Sequence, residues 1–361
     1  MSLLKEESYK LFIKRFFLVF VVFFLFLDFL FACREVKNAS NLSERSLSVY
    51  KEYIEEFGGP LTEEKLQKVE KLQNEAAEIS EGREKIYNAY KSEKITLVEY
   101  EKLSEEYNRK LTRLDGLNAF LRVYNRARTN DIEIVDSTVW SVLLENKSVD
   151  LFTLIPVILM VLLLVIIDRE SGMDYIKSST VNGKERLWNI QLLLIVLVPF
   201  VTGIFSGALR FLAGENFYGI SSYNVGLKSI EGFDVCEKDI SVICAYLLSV
   251  LLKSFGLSFL SVMTYAVGVM LNSSLYTAFF GFAVTYLPGY VLKGKRILFY
   301  LPFPSALLSP NGWFSAFLTD GESMTAALPF GHMAVYSAII FLLIIILSLV
   351  AVRERKRKVI V

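Results

Sequence analysis

Apolar positions gather into six runs: Phe16–Cys33, Leu151–Ile167, Trp188–Ala208, Ser241–Leu271, Leu275–Leu292 and Met333–Val352. Crossing about 30 Å of hydrocarbon takes about 20 apolar residues in helical form, so each run predicts a transmembrane helix. The fourth run is long enough for a tilted or broken span, with Gly256 as the expected break. Six spans place both ends of the chain on one side of the membrane.

A different pattern fills the stretch between the first two runs. Leu47, Tyr50, Ile54 and Phe57 recur at helical spacing, and Gly58-Gly-Pro60 ends that helix. Thr62-Glu-Glu64 predicts an N-cap with an acidic first turn. The stripe Leu66, Val69, Leu72, Ala76 and Ile79 predicts one long helix. Tyr100, Leu103, Tyr107, Leu111, Leu114 and Leu121 predict its return, with the turn near Ser92–Thr96. The expected object is an elongated helical hairpin with a thin core. Asp131-Ile-Glu-Ile-Val135 reads as a short strand.

The predicted architecture is therefore an all-α polytopic membrane protein with three parts. Residues 1–33 form an amphipathic start and the first span. Residues 34–149 form a helical stalk. Residues 150–361 hold spans two to six, a loop at 168–187 and a basic tail. Leu3, Leu4, Tyr9, Leu11 and Phe12 interleave with Lys5, Glu6, Glu7, Lys10 and Lys14. That pattern suits either a helix lying in the membrane interface or the solvated start of the first span.

Composition agrees with this division. Over the 361 residues, 53% are hydrophobic, while residues 34–150 hold more than half of the charged side chains. Net charge is +1, which gives no field to draw nucleic acid. Lys5, Lys10, Lys14 and Arg15 precede the first span, and Lys177, Lys184 and Arg186 lie in the middle loop. Arg353, Arg355, Lys356, Arg357 and Lys358 follow the last span. These cations fall on one face, which the positive-inside rule makes cytoplasmic. Lys293, Lys295 and Arg296 fall on the other face and oppose that vote. The expected location is the cell membrane, multi-pass, with both termini cytoplasmic and the stalk outside. Leu30-Phe-Ala-Cys33 loosely matches a lipoprotein cleavage box, but Phe31 fits it poorly, so the first span is expected to stay.

Candidate chemistry is sparse. The single histidine, His332, sits at the outer mouth of the sixth span. One histidine and three scattered cysteines make neither a zinc site nor a catalytic triad. Cys236 and Cys244 both fall near the outer face, as a pair or as isolated thiols. No Gly-rich phosphate loop ending in Lys-Ser/Thr is present, so work driven by ATP needs a partner's nucleotide site. Phe303, Trp313, Phe314 and Phe317, among Pro302, Pro304 and Pro310, suggest a re-entrant segment with its aromatics at headgroup level. Asp28 and Lys253 are ionisable groups inside apolar runs. Such groups either face a cavity or each other, as on an ion or substrate path, or snorkel to the surface.

The polar stretch Asp168–Arg186 joins the second and third spans. Glu170, Gly172, Lys177, Ser179-Thr180, Gly183-Lys184 and Arg186 stand along it. Their order resembles the loop between spans two and three of ABC-2-type transporter permeases, as does the sequence of one span, a large outer domain and five further spans. The stalk resembles insertions in such permeases of low-GC Gram-positive bacteria. The resemblance implies a coupling helix carrying Glu170, Gly172, Lys177, Thr180, Gly183 and Arg186. It also implies a separate cytoplasmic ABC ATPase that holds ATP and Mg, and a second permease, identical or related. The chain itself would bind no cofactor, perform no catalysis, and move an amphipathic cargo such as a lipid-linked molecule, peptide or drug. A membrane-anchored sensor or adhesion scaffold working through its stalk is the rival reading.

Overall fold

The computed structural model describes residues 3–92, 94–145, 151–170, 183–234, 236, 240–292, 295–314, 317–318, 324–325 and 328–360. In chain order the helices are α1 (Leu3–Tyr9), α2 (Phe17–Lys37), α3 (Glu44–Phe57), α4 (Glu63–Lys91), α5 (Leu97–Asn130) and α6 (Thr138–Glu145). Then come α7 (Leu151–Val161), α8 (Ile167–Glu170), α9 (Gly183–Phe217), α10 (Val242–Leu271), α11 (Ser274–Val291), α12 (Pro304–Leu308) and α13 (Phe330–Ile360). A π-helical turn, Leu162–Ile166, joins α7 to α8. The two-residue strands β1 (Phe317–Leu318) and β2 (Met324–Thr325) pair antiparallel, Phe317 opposite Thr325.

Among the described residues, five helices are long and apolar enough to cross a membrane: Phe17–Lys37, Leu151–Arg169, Leu187–Phe217, Val242–Leu271 and Phe330–Glu354. The chain has the pattern of a multi-pass membrane protein. The fifth run forms α11, of 18 residues, which is not among those five. Several threonines, tyrosines and Pro288 dilute its apolar character. Large apolar side chains point outward on α2, α9, α11 and α13, among them Phe26, Phe205, Phe279 and Leu349. In water these would cost free energy, while in hydrocarbon they cost none.

The second span runs opposite to α2 and in the same direction as α10. Phe31, late in α2, packs on Phe152, at the start of α7, with ring centroids 5.9 Å apart. Arg169, at the far end of that span, donates to the carbonyl of Val269, late in α10. Small residues bring α9 and α10 close. A Cβ on Gly203 would lie 2.5 Å from the Ser254 hydroxyl, and one on Gly207 would lie 2.5 Å from a Val250 methyl. The expected break at Gly256 is absent, and α10 is continuous. Gly256 instead makes room for α12, since a Cβ there would meet Leu307 at 2.8 Å.

The stalk is a three-helix base with a two-helix tip. Hydroxyl caps at Ser43, Thr62 and Thr96 start α3, α4 and α5 by accepting the backbone N–H three residues on. Glu99 completes a capping box with Thr96. Gly58 and Gly59, the latter at φ 88°, end α3 and turn the chain. The base core holds Tyr53, Phe57, Phe120 and Tyr124 in mutual ring contact. So α3 closes one side of the hairpin that α4 and α5 make. Near the tip Tyr90 stacks on Tyr100, centroids 4.4 Å apart, while Leu97 and Leu103 are exposed. The side chains of Tyr107 and Leu111 lie outside the described residues. The expected strand at Asp131–Val135 is a single antiparallel bridge between Gly59 and Ile134.

In the aromatic segment before α13, Trp313 and Phe314 are fully buried within the protein. Trp313 donates to the Ala306 carbonyl at 3.0 Å and packs edge-on against Phe299 and Tyr336. Buried Pro304 and the aromatics thus make this segment a plug against α10 and α13.

Candidate functional site

Most of the implied coupling loop lies outside the described residues: Gly172, Lys177, Thr180 and the side chains of Glu170 and Arg186 are among them. What is described is its frame. Glu170 closes α8 and Gly183 opens α9.

The near edge of that frame is clasped by the N-terminal segment. Asp168 accepts from both Lys10 and Arg15. Gln191, on the first turns of α9, donates to Glu7 at 3.1 Å and to the Leu164 carbonyl at 3.4 Å. A π-helical turn at Lys10–Lys14 and a left-handed Phe16 (φ 54°) bend the chain into α2. This segment is not simply a helix lying flat in the interface. Glu7 and Leu11 are buried inside the protein, while Leu4, Tyr9, Ile13 and Phe16 face outward. Glu7 and Lys10 reach inward to Gln191 and Asp168, while Leu4, Tyr9, Ile13 and Phe16 offer an apolar surface outward, as suits lipid surroundings.

The two intramembrane charges do not snorkel. Asp28 is fully buried in α2, and Lys253 is 4% exposed in α10. Both converge on α9. Arg210 reaches Asp28 through two nitrogens at 2.8 and 3.2 Å, a forked pairing with one carboxylate oxygen. Ser206, one helical turn earlier, donates to the other oxygen at 2.6 Å. The Lys253 ammonium donates to the same hydroxyl at 3.3 Å. Glu35 approaches Arg210 at 3.7 Å, and Tyr246 donates to the Gly207 carbonyl at 2.7 Å. A buried ion costs several kcal/mol to desolvate, and neighbouring counter-charges and hydrogen bonds offset this. The cluster combines Asp28, Glu35, Arg210 and Lys253, so acid and base match one to one. It locks α2, α9 and α10 together within the apolar layer.

Arg210 and Glu35 were hidden because hydropathy loses the spans at Ala208 and Cys33. The helices themselves continue to Phe217 and Lys37. The available signal was position: Ser206 and Arg210 stand four apart on one face, and Phe211, Leu212 and Ala213 resume the apolar run.

The stalk is fixed to the bundle by polar contacts. The Tyr50 hydroxyl donates to Asp136 at 3.2 Å, and Asp136 also accepts the Thr138 backbone N–H. Burial, with Asp136 adding to it, pushes the Tyr50 and Tyr218 phenols above their usual range. The Lys51 ammonium lies 4.0 Å over the Tyr218 ring and donates to that residue's carbonyl. Arg126 of α5 donates to the Ser229 carbonyl and faces Asp234 at 3.3 Å. The base is therefore braced through α3 and through α5.

His332 is occupied structurally. Its ring packs against Tyr300 and Trp313, and its Nε2 lies 2.9 Å from the Phe299 carbonyl. Cys33, Cys236 and Cys244 are free thiols. Among the described residues no group of three or more His, Cys, Asp or Glu side chains is placed to hold a metal ion. No family model, curated protein or solved structure matches the chain.

Proposed function

We propose that the chain is the permease subunit of an ATP-binding-cassette exporter, driven by a separate cytoplasmic ATPase that carries ATP and Mg. The supporting observation is the clasp of Asp168 by Lys10 and Arg15. It ties the basic N-terminal segment to the end of the second span, where the 168–187 loop begins. In this reading that face is cytoplasmic, α11 is a sixth span, and both termini lie inside. A push on the loop by an ATPase reaches α8 directly, α9 at Gly183 and α2 through the clasp. Helices transmit such a push as rigid units. Two permease copies, or one with a related partner, would enclose an amphipathic cargo between them.

The test is co-purification of the full chain, tagged, from its own cells. Wild type should bring down a Walker-A ATPase subunit. Glu170→Lys and Arg186→Glu should lose it by about tenfold or more while still inserting in the membrane, because reversing an interfacial charge both breaks a pair and creates repulsion. Undiminished recovery of the ATPase with both variants would remove the coupling assignment. Labelling of Lys177 from outside intact cells would invert the topology.

One observation favours the rival sensor or adhesion scaffold: the stalk's braced base, with Tyr50, Asp136 and Arg126 fixing it to the bundle. That reading expects full function after the loop charges are reversed.

A further inference from the structure

At the outer end of α2, about 570 Å³ of cavity opens between that helix and α6. Phe31, Arg34, Glu35 and Asn38 supply one wall from a single face of α2, and Asn41 and Ser141 supply polar groups opposite. Two features define its chemistry. First, a cation and an anion stand side by side at its rim, with amide and hydroxyl groups able to donate and accept around them. Second, the cavity continues into apolar surface. Phe31 packs on Phe152, and Phe26, Leu30 and Leu151 are exposed just below. An aqueous solute would have no use for that apolar approach, and a pure hydrocarbon would leave the charges unmet.

We propose that this cavity is a binding site for the zwitterionic headgroup of an amphiphile. Glu35 takes the ammonium, Arg34 takes the phosphate or carboxylate, and Asn38, Asn41 and Ser141 bind the remaining oxygens. The chain or chains of the molecule lie along Phe31 and Leu30. Arg34 suits the anionic end because its planar fork matches two oxygens at once. The site has a route inward. Glu35 also meets Arg210, which holds Asp28, so an ammonium at Glu35 competes with Arg210 and loosens its outer contact. The proposal does not rest on the exporter reading, since an occupant could be cargo or a resident lipid.

The experiment uses the full chain in nanodiscs of phosphatidylglycerol containing a minor share of phosphatidylethanolamine. Protein is repurified in mild detergent, and retained lipid is counted by mass spectrometry. Wild type should retain phosphatidylethanolamine well above its bulk share. Glu35→Gln and Arg34→Gln should each cut that enrichment about tenfold, the usual scale for losing one charged hydrogen bond. Ser141→Phe should cut it equally by filling the cavity without touching a charge. Glu35→Gln leaves the Arg210 pair with Asp28 in place, and Arg34 is on the surface, so both variants should fold; an unchanged melting temperature verifies this. Excess water-soluble phosphoethanolamine separates the sources. Persistence of the lipid supports an amphiphile held by its chain as well as its headgroup, and full displacement shows that a soluble zwitterion suffices and overturns the proposal. Equal retention by wild type and all three variants, or equal enrichment of phosphatidylglycerol, overturns the proposal.

Discussion

The start and the middle of α2 carry two ionic clusters built in opposite ways. At the start of the helix, Asp168 is met by Lys10 and Arg15, whose side chains remain 18% and 21% exposed. Eleven residues further on, about 16 Å along the axis at the helical rise, Asp28 and Arg210 are 0% and 7% exposed. The first cluster joins chain ends and helix termini, while the second joins the interiors of three helices. Water reaches the two cations of the first, although Asp168 itself is only 5% exposed, so opening it costs less than opening the second. Water does not reach the second, so removing one partner strands a charge. A membrane protein that moves needs both kinds, one region that stays together and one that lets go. Here the separable cluster sits beside the 168–187 loop, and the buried one sits beside the cavity between α2 and α6.

The hardest blow to that contrast is Asp28→Ala. It leaves Arg210 and Lys253 buried with no carboxylate between them, and the expected loss is about 3–5 kcal/mol. Thermal unfolding in detergent should show a large drop in melting temperature or no folded protein at all. Adding Lys253→Met to Asp28→Ala should recover part of the loss by removing one stranded cation. A loss under about 1 kcal/mol for Asp28→Ala would mean that the cluster is hydrated, and the contrast would vanish.

Next in size is Gly207→Ala, which tests whether the buried cluster needs its tight helix pair. The new Cβ would press within 2.5 Å of Val250, forcing α9 and α10 apart beside Tyr246. Overpacking of this kind costs about 1–3 kcal/mol. The same thermal assay reads it, and a neutral result would show that the helices shift freely there.

Asp168→Ala should cost less, about 1 kcal/mol, because its cations can turn to water. Its effect should be local. Hydrogen exchange of residues 3–15 should speed up, while exchange in α9 and α10 around Ser206 stays slow. Faster exchange at both ends would show that the two clusters open as one unit.

Much of this arrangement was legible from residue pattern, and the remainder fails for a physical reason. Apolar runs find helices by the free energy of transfer into lipid, so Phe17–Lys37 and Phe330–Glu354 stand out. The same measure loses a helix once a charge appears, although a paired charge can lie deeper. Arg210 and Glu35 fell beyond the expected ends of their spans, and with them went the pairing partners of Asp28. Gly256 shows the complementary error. In sequence a mid-helix glycine signals a break, yet its role here is set by Leu307, some fifty residues away, which no local pattern can report. In the stalk, caps and stripes are local: Thr62 starts a helix and Gly58-Gly59 end one where their chemistry says they should. What the stripes concealed was where the helix through Leu47 and Phe57 packs, since α3 meets α5 only in space. The 168–187 segment remains a matter of sequence, because its central residues are outside the described ones.

The smallest expected effect lies in the stalk tip and serves as the reference for the other two regions. Thr96 and Glu99 form a reciprocal cap, and the bonds from the Thr96 backbone N–H and hydroxyl hold the Glu99 carboxyl below its usual value of 4.5. The folded form therefore binds its proton less readily than the unfolded form does. Its contribution is complete above that usual value and is lost as pH falls through the lower, folded one. Thr96→Ala should weaken the first turn of α5 by about 1 kcal/mol, seen as faster exchange of the amides of residues 97–100. Acidifying the wild type below pH 4.5 should reproduce part of that change at the same amides. Since Glu99 lies at the solvent-exposed tip, neither treatment should alter exchange around Asp28 or Asp168. A tip that loosened either cluster would show that the stalk is mechanically coupled to the bundle through its braced base at Tyr50 and Arg126, and the two ionic regions could then no longer be treated as independent of the world outside the membrane.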